Sequence, residues 1–360
     1  MAEQRIRVGI IGANVSYGWA PRAHLPALLA MPEFELAAVC TSRPETAAES
    51  KEKFGARMAF NDYREMVNHP EIDLVSVVVR VPQHHEMTMA ALNAGKHVYT
   101  EWPLGANLAE AQEMADLARS KGVRTMVGLQ RRCSPLYMRL HELIEEGYIG
   151  EVLACHLTQI GSGVLSRTSD RTWSRDTRIG VNTLTIAFGH SMDALNMCVG
   201  EVSELSAVVS TQVSRWFESD TQRYVDVTSP DNVLVSGRLA KGGVVSAHVA
   251  SQPFHASGHH LEIYGMDGTL AVESGERRLL GGGAGDPELK ELPIPERLTW
   301  IPQGVPQGAP FNVGQMYHRF GEAIRSGRRM GPDFDDALTR HKLLDAIQRS
   351  SDLGTREKVV

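Results

Sequence analysis

Residues 6–19 read IRVGIIGANVSYGW, and the reading of this stretch decides the fold. An apolar run, Ile6 to Ile11, ends on Gly12, and a segment of helical character, Pro21 to Met31, follows Gly18 and Trp19. A strand, a short loop and a helix in that order bring backbone N–H groups and the positive helix end to one point. Such a loop favours anions. The usual spacing is G-x-G-x-x-G. Here Asn14 stands at the second glycine position, and Gly18 comes one residue late. Gly12 suits the tight turn and Gly18 the close packing of the next helix. Asn14 is the commonest non-glycine residue to tolerate positive φ.

Outward from the loop, strand signals at 5–11, 34–40, 73–79, 96–100 and 123–127 alternate with helical stretches at 21–31, 44–54, 62–67, 83–94 and 107–121. That alternation predicts parallel strands with crossover helices. Apolar strands such as DLVSVVV suit a sheet covered on both faces. A bridging helix over 135–147 follows, with Leu136, Leu140, Leu143 and Ile144 at helical spacing. After Gly150 longer strand signals appear, at 151–160, 202–216, 231–239, 243–251, 259–265 and 269–273. Hairpin turns at 240–243 and 266–268 make this sheet mostly antiparallel. One helix, 182–198, interrupts it; 281–311 reads as loop, and helices at 312–326 and 334–351 finish the chain. The 360 residues fit two domains, 1–130 and 131–360, with the closing helices able to pack back on the first.

A net charge of −6 gives no reason to expect a nucleic-acid partner. The pairs Arg131-Arg132, Arg277-Arg278 and Arg328-Arg329 are too short to be a basic patch. No apolar stretch approaches the ~20 residues of a membrane span. Cysteines 40, 133, 155 and 198 stand apart and fit a reducing compartment. With an N-terminus that runs straight into the first strand, these features lead to the expectation of a cytoplasmic protein. His259 and His260 are adjacent, so strand alternation sends them to opposite faces. With His255 they make no metal site, and no metal is assigned.

The second strand ends in AAVCTSRPETA, with Thr41, Ser42 and Arg43 where a ribose-binding carboxylate would stand. Hydroxyls and a guanidinium accept a phosphate. This favours NADP over NAD.

Five segments, in order, resemble the Gfo/Idh/MocA oxidoreductases: RVGIIGANVSYGWAPRAHLPAL, AALNAGKHVYTEWPLG, QRRCSPLYMRLHELIEEGYIGEV, GHSMDALNMCVG and PDFDDALTRHKLLDAIQRSS. The resemblance runs nearly end to end. The lengthened loop and E-W-P in place of E-K-P look like the branch related to the galactose-regulon repressor. The resemblance implies an α/β protein. Its N-terminal Rossmann domain is a doubly wound parallel sheet, and its C-terminal α+β domain holds a large, mostly antiparallel sheet. It also implies a homodimer or homotetramer. Glu101, Trp102 and Pro103 are expected beside the nicotinamide. Arg80 and His84 are expected on the pyrophosphate and ribose side. Arg131, or Arg132 in its stead, is expected near cofactor or substrate, and Tyr17 and Trp19 stack over the cofactor or pack in the core.

Alcohol oxidation needs a base for the hydroxyl proton and a group that stabilises the oxyanion. The family places a lysine, a histidine and often an aspartate there. Here Trp102 takes the lysine's position and Ile186 the aspartate's, so His190 remains. A histidine can act alone near neutral pH. Asp193 lies three residues on and shares its helix face. Arg171, Trp173, Asn182 and Thr183, with Trp102 as a wall, are candidates to line a pocket for a hydroxylated small molecule. One reading is an NADP-dependent oxidoreductase acting on a sugar, polyol or related ring, which includes bond cleavage through transient oxidation. The other is a dinucleotide-binding regulator that meets a partner protein without turnover. The lost lysine and aspartate favour the second, and the lack of a long docking insertion favours the first.

Overall fold

The computed structural model describes residues 4–273 and 275–359; the outermost residues of the two expected domains, 1–3 and 360, lie outside this range. The chain forms two compact units. The first joins the stretch ending at Cys133 to Thr299–Thr339; the second joins Ser134–Leu298 to the stretch from Arg340 onward. The chain of the second unit is thus interrupted by a segment, Thr299–Thr339, that belongs to the first.

In the first unit six strands, β1 (Ile6–Ile11), β2 (Phe34–Cys40), β3 (Met58–Phe60), β4 (Leu74–Val77), β5 (His97–Thr100) and β6 (Thr125–Val127), lie in the order β3-β2-β1-β4-β5-β6. Every neighbouring pair is parallel. The order reverses between β1 and β4, which makes their carboxyl ends the switch point where open α/β sheets bind ligands. The crossovers carry α1 (Leu25–Ala30), α2 (Pro44–Phe54), α3 (Tyr63–Val67), α4 (His84–Asn93) and α5 (Leu108–Lys121). Their ends follow local chemistry. Pro44 opens α2 and left-handed Gly55 closes it. The Asn107 side chain caps Glu110 N, and the Glu110 carboxylate returns to Ala106 N, a capping-box-like exchange. The expected first helix is shorter, because Ala20–His24 forms a wider π-helical turn before α1. β3 is too short to leave a periodic signal. The helix Ala309–Ser326 buries Val313, Met316, Tyr317 and Phe320 in one core with Val8, Ile10, Phe34 and Tyr99.

In the second unit, α6 (Pro135–Glu145) and α7 (Gly189–Val199) accompany twelve strands, nine in one sheet and three in another. In chain order the strands are β7 (Val152–Ser162), β8 (Ser166–Arg167), β9 (Val202–Ser210), β10 (Arg215–Glu218), β11 (Arg223–Asp226), β12 (Asn232–Leu239), β13 (Val244–Gln252), β14 (Gly258–Gly265), β15 (Gly268–Glu273), β16 (Arg278–Gly283), β17 (Lys290–Glu291) and β18 (Glu357–Lys358). The large sheet runs β17-β16-β15-β14-β7-β13-β12-β9-β18, and β8, β10 and β11 form a separate small one. Within the large sheet β7 and β13 pair in parallel, and the other pairs are antiparallel. The helix already met at Ala309–Ser326 is α8, and α9 is Phe334–Leu353.

Two expectations change here. The strand expected over 202–216 breaks after Ser210, because the Asp231 carboxylate accepts Gln212 N and Val213 N at 2.9 and 2.7 Å and draws the chain off the sheet. The loop expected over 281–311 includes the end of β16 and all of β17. Gly281 serves close packing there, since a Cβ on it would stand 2.6 Å from Leu292 Cδ1.

Candidate functional site

The loop after β1 is built on one backbone approach. Gly12 has φ +91°, and a Cβ there would stand 2.1 Å from the Val78 carbonyl oxygen. Only glycine fits. Asn14 does not adopt positive φ; among the described residues Gln222, His255 and Glu276 are the non-glycine residues that do. Its side-chain oxygen instead accepts Ser16 N at 2.8 Å and Tyr17 N at 3.3 Å, an Asx turn that sets the extra residue of the loop. Gly18 has φ +100° with open space around it. Its role is conformational rather than close helix packing. Tyr17 is 66% exposed and available for stacking, whereas Trp19 is half-buried and packs against the core. Two residues of α2 also hold the loop: Ser50 Oγ donates to Ala13 O at 2.5 Å and Lys53 Nζ to Val15 O at 3.1 Å. They lie too far along the chain for spacing to reveal them.

At the end of β2, Thr41 Oγ1 donates to Arg43 O at 3.1 Å and stands 2.7 Å from Thr46 Oγ1, so it shapes the start of α2. Ser42 and Arg43 are exposed. The Arg43 guanidinium has no carboxylate partner among the described residues.

Beyond β4, Arg80 is exposed and His84 is fully buried. The His84 ring stands between Pro103 O at 2.8 Å and Val79 O at 3.1 Å. Burial lowers its pKa, so the ring is neutral and donates to one carbonyl at a time. With both nitrogens on backbone, His84 ties the β4 turn to the E-W-P turn instead of reaching a phosphate. At that turn Trp102 and Pro103 are buried. The Glu101 side chain is 13% exposed, and its carboxylate accepts His24 Nε2 at 2.9 Å. The other nitrogen of His24 lies 2.8 Å from Tyr317 OH, which lies 2.9 Å from Ser76 Oγ. A Cβ on Gly128 would stand 2.6 Å from both Glu101 oxygens, so that glycine makes room for the carboxylate. His24 is a signal that sequence reasoning missed: a polar residue inside an apolar helical face, with Ala20, Ala23, Leu25 and Leu28 around it. Arg131 is half-buried just after β6.

In the second unit His190 sits half-buried in the first turn of α7. Asp193, expected to share its helix face and orient it, is fully buried and salt-bridged to Arg340, Nε to Oδ1 at 3.4 Å. Arg340 is itself fully buried and grips Glu201 with both terminal nitrogens, at 3.1 and 2.9 Å. Glu201 also accepts Asn196 Nδ2 at 2.6 Å. These contacts tie α7 to α9 and to the start of β9. Arg171 is exposed and Trp173 half-buried on the turn Ser169–Ser174. The Asn182 oxygen accepts Thr185 N at 3.1 Å, capping the π-helical turn that leads into α7. Thr183 N donates to Pro230 O at 3.3 Å. His259 is buried between Tyr137 OH at 2.8 Å and Gln159 Oε1 at 3.2 Å, while His260 faces outward.

Residues 6–129 match the family model described as the oxidoreductase family with an NAD-binding Rossmann fold, and residues 135–274 match that of the Gal80p C-terminal domain. The chain is 29% identical to dehydrogenase aclE of Aspergillus oryzae, over 98% of this chain and 97% of that one. It is 26% identical to the galactose/lactose metabolism regulatory protein GAL80 of Saccharomyces cerevisiae, over 97% and 93% of the two chains. The solved structure of levoglucosan dehydrogenase in complex with NADH and levoglucosan is similar at a TM-score of 0.87 and 26% identity, covering 99% of this chain and 100% of the other. A parallel sheet ordered about a β1–β4 switch point thus matches the Gfo/Idh/MocA oxidoreductase model over residues 6–129, and the Gal80p C-terminal domain model follows over residues 135–274, the pairing that the Gal80-related branch of that family carries.

Proposed function

We propose that the protein is a cytoplasmic NADP(H)-dependent oxidoreductase. It moves hydride between the nicotinamide and a hydroxyl or carbonyl carbon of a sugar, polyol or related hydroxylated ring, with His190 as general acid/base. The observation that carries this reading is the loop after β1. Gly12 keeps the close backbone approach at the switch point, and the exposed Arg43 guanidinium stands at the start of α2, with no carboxylate partner among the described residues. That combination suits a dinucleotide with a 2′-phosphate. Gly12, Asn14, Tyr17 and Gly18 would cradle the pyrophosphate, and Ser42 and Arg43 the ribose phosphate. Arg80, Glu101, Trp102, Pro103 and Arg131 would meet the remainder. The dinucleotide supplies the hydride chemistry. His190 takes the hydroxyl proton in oxidation and returns it in reduction, and Arg171, Trp173, Asn182 and Thr183 hold the ring of the substrate. Asp193 acts as a positioning residue, through Arg340.

The experiment is a screen of sugars and polyols with NADP, read by absorbance of the reduced coenzyme. Turnover that His190→Ala abolishes, with coenzyme affinity nearly unchanged, supports the assignment; turnover that survives removes His190 as the base. Arg43→Ala is expected to weaken NADP more than NAD, and equal losses overturn the preference. One observation favours a second reading, a regulator without turnover: buried Trp102 occupies the position of the family lysine and can exchange no proton. Coenzyme binding without turnover across the screen would select it. A homodimer or homotetramer through the outward face of the large sheet accompanies either reading. There Val208 and Leu234 lie opposite each other across β9 and β12, 56% and 43% exposed. Light scattering of the eluting protein tests it.

A further inference from the structure

The small sheet of the second unit holds two buried hydrogen-bond donors with nothing to donate to. β8 pairs in parallel with β10, which sets Arg167 opposite Glu218. The Arg167 guanidinium lies over the Trp216 ring, Cζ 3.9 Å from its centroid. Trp216 is 4% exposed, and its indole Nε1 is buried without a partner. Arg167 Nε is buried without a partner as well. Buried N–H groups in native proteins are rarely left unpaired. Both of these ask for an acceptor, and they stand side by side.

Among the described residues no carboxylate answers them. Glu218 is saturated: Oε1 accepts Thr172 Oγ1 at 2.6 Å, and Oε2 accepts Thr221 Oγ1 at 2.7 Å and Arg223 Nε at 2.5 Å. Asp220 is spent on Ser169 N and Oγ, at 2.8 and 2.6 Å. Those same bonds pin the turn Ser169–Ser174, which presents Arg171. Neither Arg167 nor Arg171 has an ion-pair partner among the described residues. Burial, and then the like charge of Arg171, lower the Arg167 pKa, so the two guanidiniums feel each other unneutralised. A stacked, desolvated guanidinium beside a second one is the arrangement that grips planar or multi-oxygen anions.

We infer that Arg167 and Arg171, over the Trp216 ring, form a subsite for the anionic group of a small ligand, a carboxylate or a phosphate. Under the oxidoreductase reading above, on which this part rests, the substrate is an acidic sugar or a sugar phosphate rather than a neutral polyol. Arg167 supplies the fixed fork, and exposed Arg171 closes on the group from the turn.

Calorimetric titration of the full chain without dinucleotide tests this, so the absence of turnover with NADP leaves the result untouched. The probes are glucuronate, glucose 6-phosphate and glucose. At least one anionic probe is expected to bind about tenfold or more tighter than glucose. Arg167→Met and Arg171→Met are each expected to erase that margin, and Arg167→Lys to keep part of it. A margin confined to glucuronate identifies a carboxylate, and one confined to glucose 6-phosphate a phosphate. Arg171 is exposed, so its variant reads out the site even if Arg167→Met folds poorly. Equal affinity for all three probes, no binding by any, or a margin that survives Arg171→Met would overturn the inference.

Discussion

His24 and Glu101 meet inside the first unit, Nε2 to Oε1 at 2.9 Å, 77 residues apart in the chain. The contact continues through Tyr317 to Ser76, so a carboxylate at the end of β5 is braced by a helix from near the other end of the sequence. Replacing His24 by Ala leaves the Glu101 carboxylate and the Tyr317 hydroxyl short of a partner. The expected loss is about 2–4 kcal/mol in stability, with weaker coenzyme binding alongside. Glu101→Gln, which retains an acceptor, is expected to cost less. Thermal melts with and without NADP measure both, and equal losses would show that the pair is not coupled.

Gly12 and Gly18 both have positive φ, but only Gly12 is crowded. Gly18→Ala is expected to cost about 1–2 kcal/mol, the penalty of a left-handed L-residue. Gly12→Ala adds a collision with Val78 O, so either the strand ends separate or the loop refolds. Its melting temperature and coenzyme affinity should fall well beyond those of Gly18→Ala. The reverse order would refute the close approach.

Arg340 is a buried cation held by Asp193 and Glu201. Arg340→Met takes the cation away from a buried carboxylate, at an expected cost of about 3–5 kcal/mol. Arg340→Met with Asp193→Leu removes both charges and is expected to recover a large part of that. A double variant no more stable than the single would mean that burial of the charge is not the source of the loss. Activity adds a second readout. If Asp193 only positions α7, the double variant retains turnover that His190→Ala lacks.

Glu218 gives the small sheet a pH dependence. Hydrogen bonds from Arg223, then Thr172 and Thr221, hold its carboxyl at about 2 against an ordinary 4.5. A lowered pKa in the folded state means stability present in full above pH 4.5. It is lost progressively as pH falls toward 2. Glu218→Gln is expected to flatten the acid limb of the melting curve in that window while leaving neutral pH less affected. An unchanged acid limb would exclude Glu218 as its source.

Much of the first unit was legible because its signals are local. The helix expected over 44–54 is α2 residue for residue, since Pro44 and Gly55 mark both ends. The loop after β1 was legible through Gly12, whose spacing reflects a backbone constraint. Asn14 was read for the wrong property, because a side-chain turn and a left-handed residue leave the same letter in the sequence. What stayed hidden is held by partners far along the chain. Asp231 breaks the strand expected over 202–216, and Arg340 claims Asp193 from 147 residues away. His84 resembled a ligand residue, and only the backbone carbonyls around it show that it is a brace.

The division of the first unit has a consequence for synthesis. Translation delivers β1 to β6 early, yet the residues that complete their core, Val313, Met316, Tyr317 and Phe320, emerge only after all of Ser134–Leu298. A nascent chain stopped at Cys133 should therefore resist protease poorly, and one extended through Thr339 should resist it well. The first unit, though its strands are made early, waits for a helix that is made late.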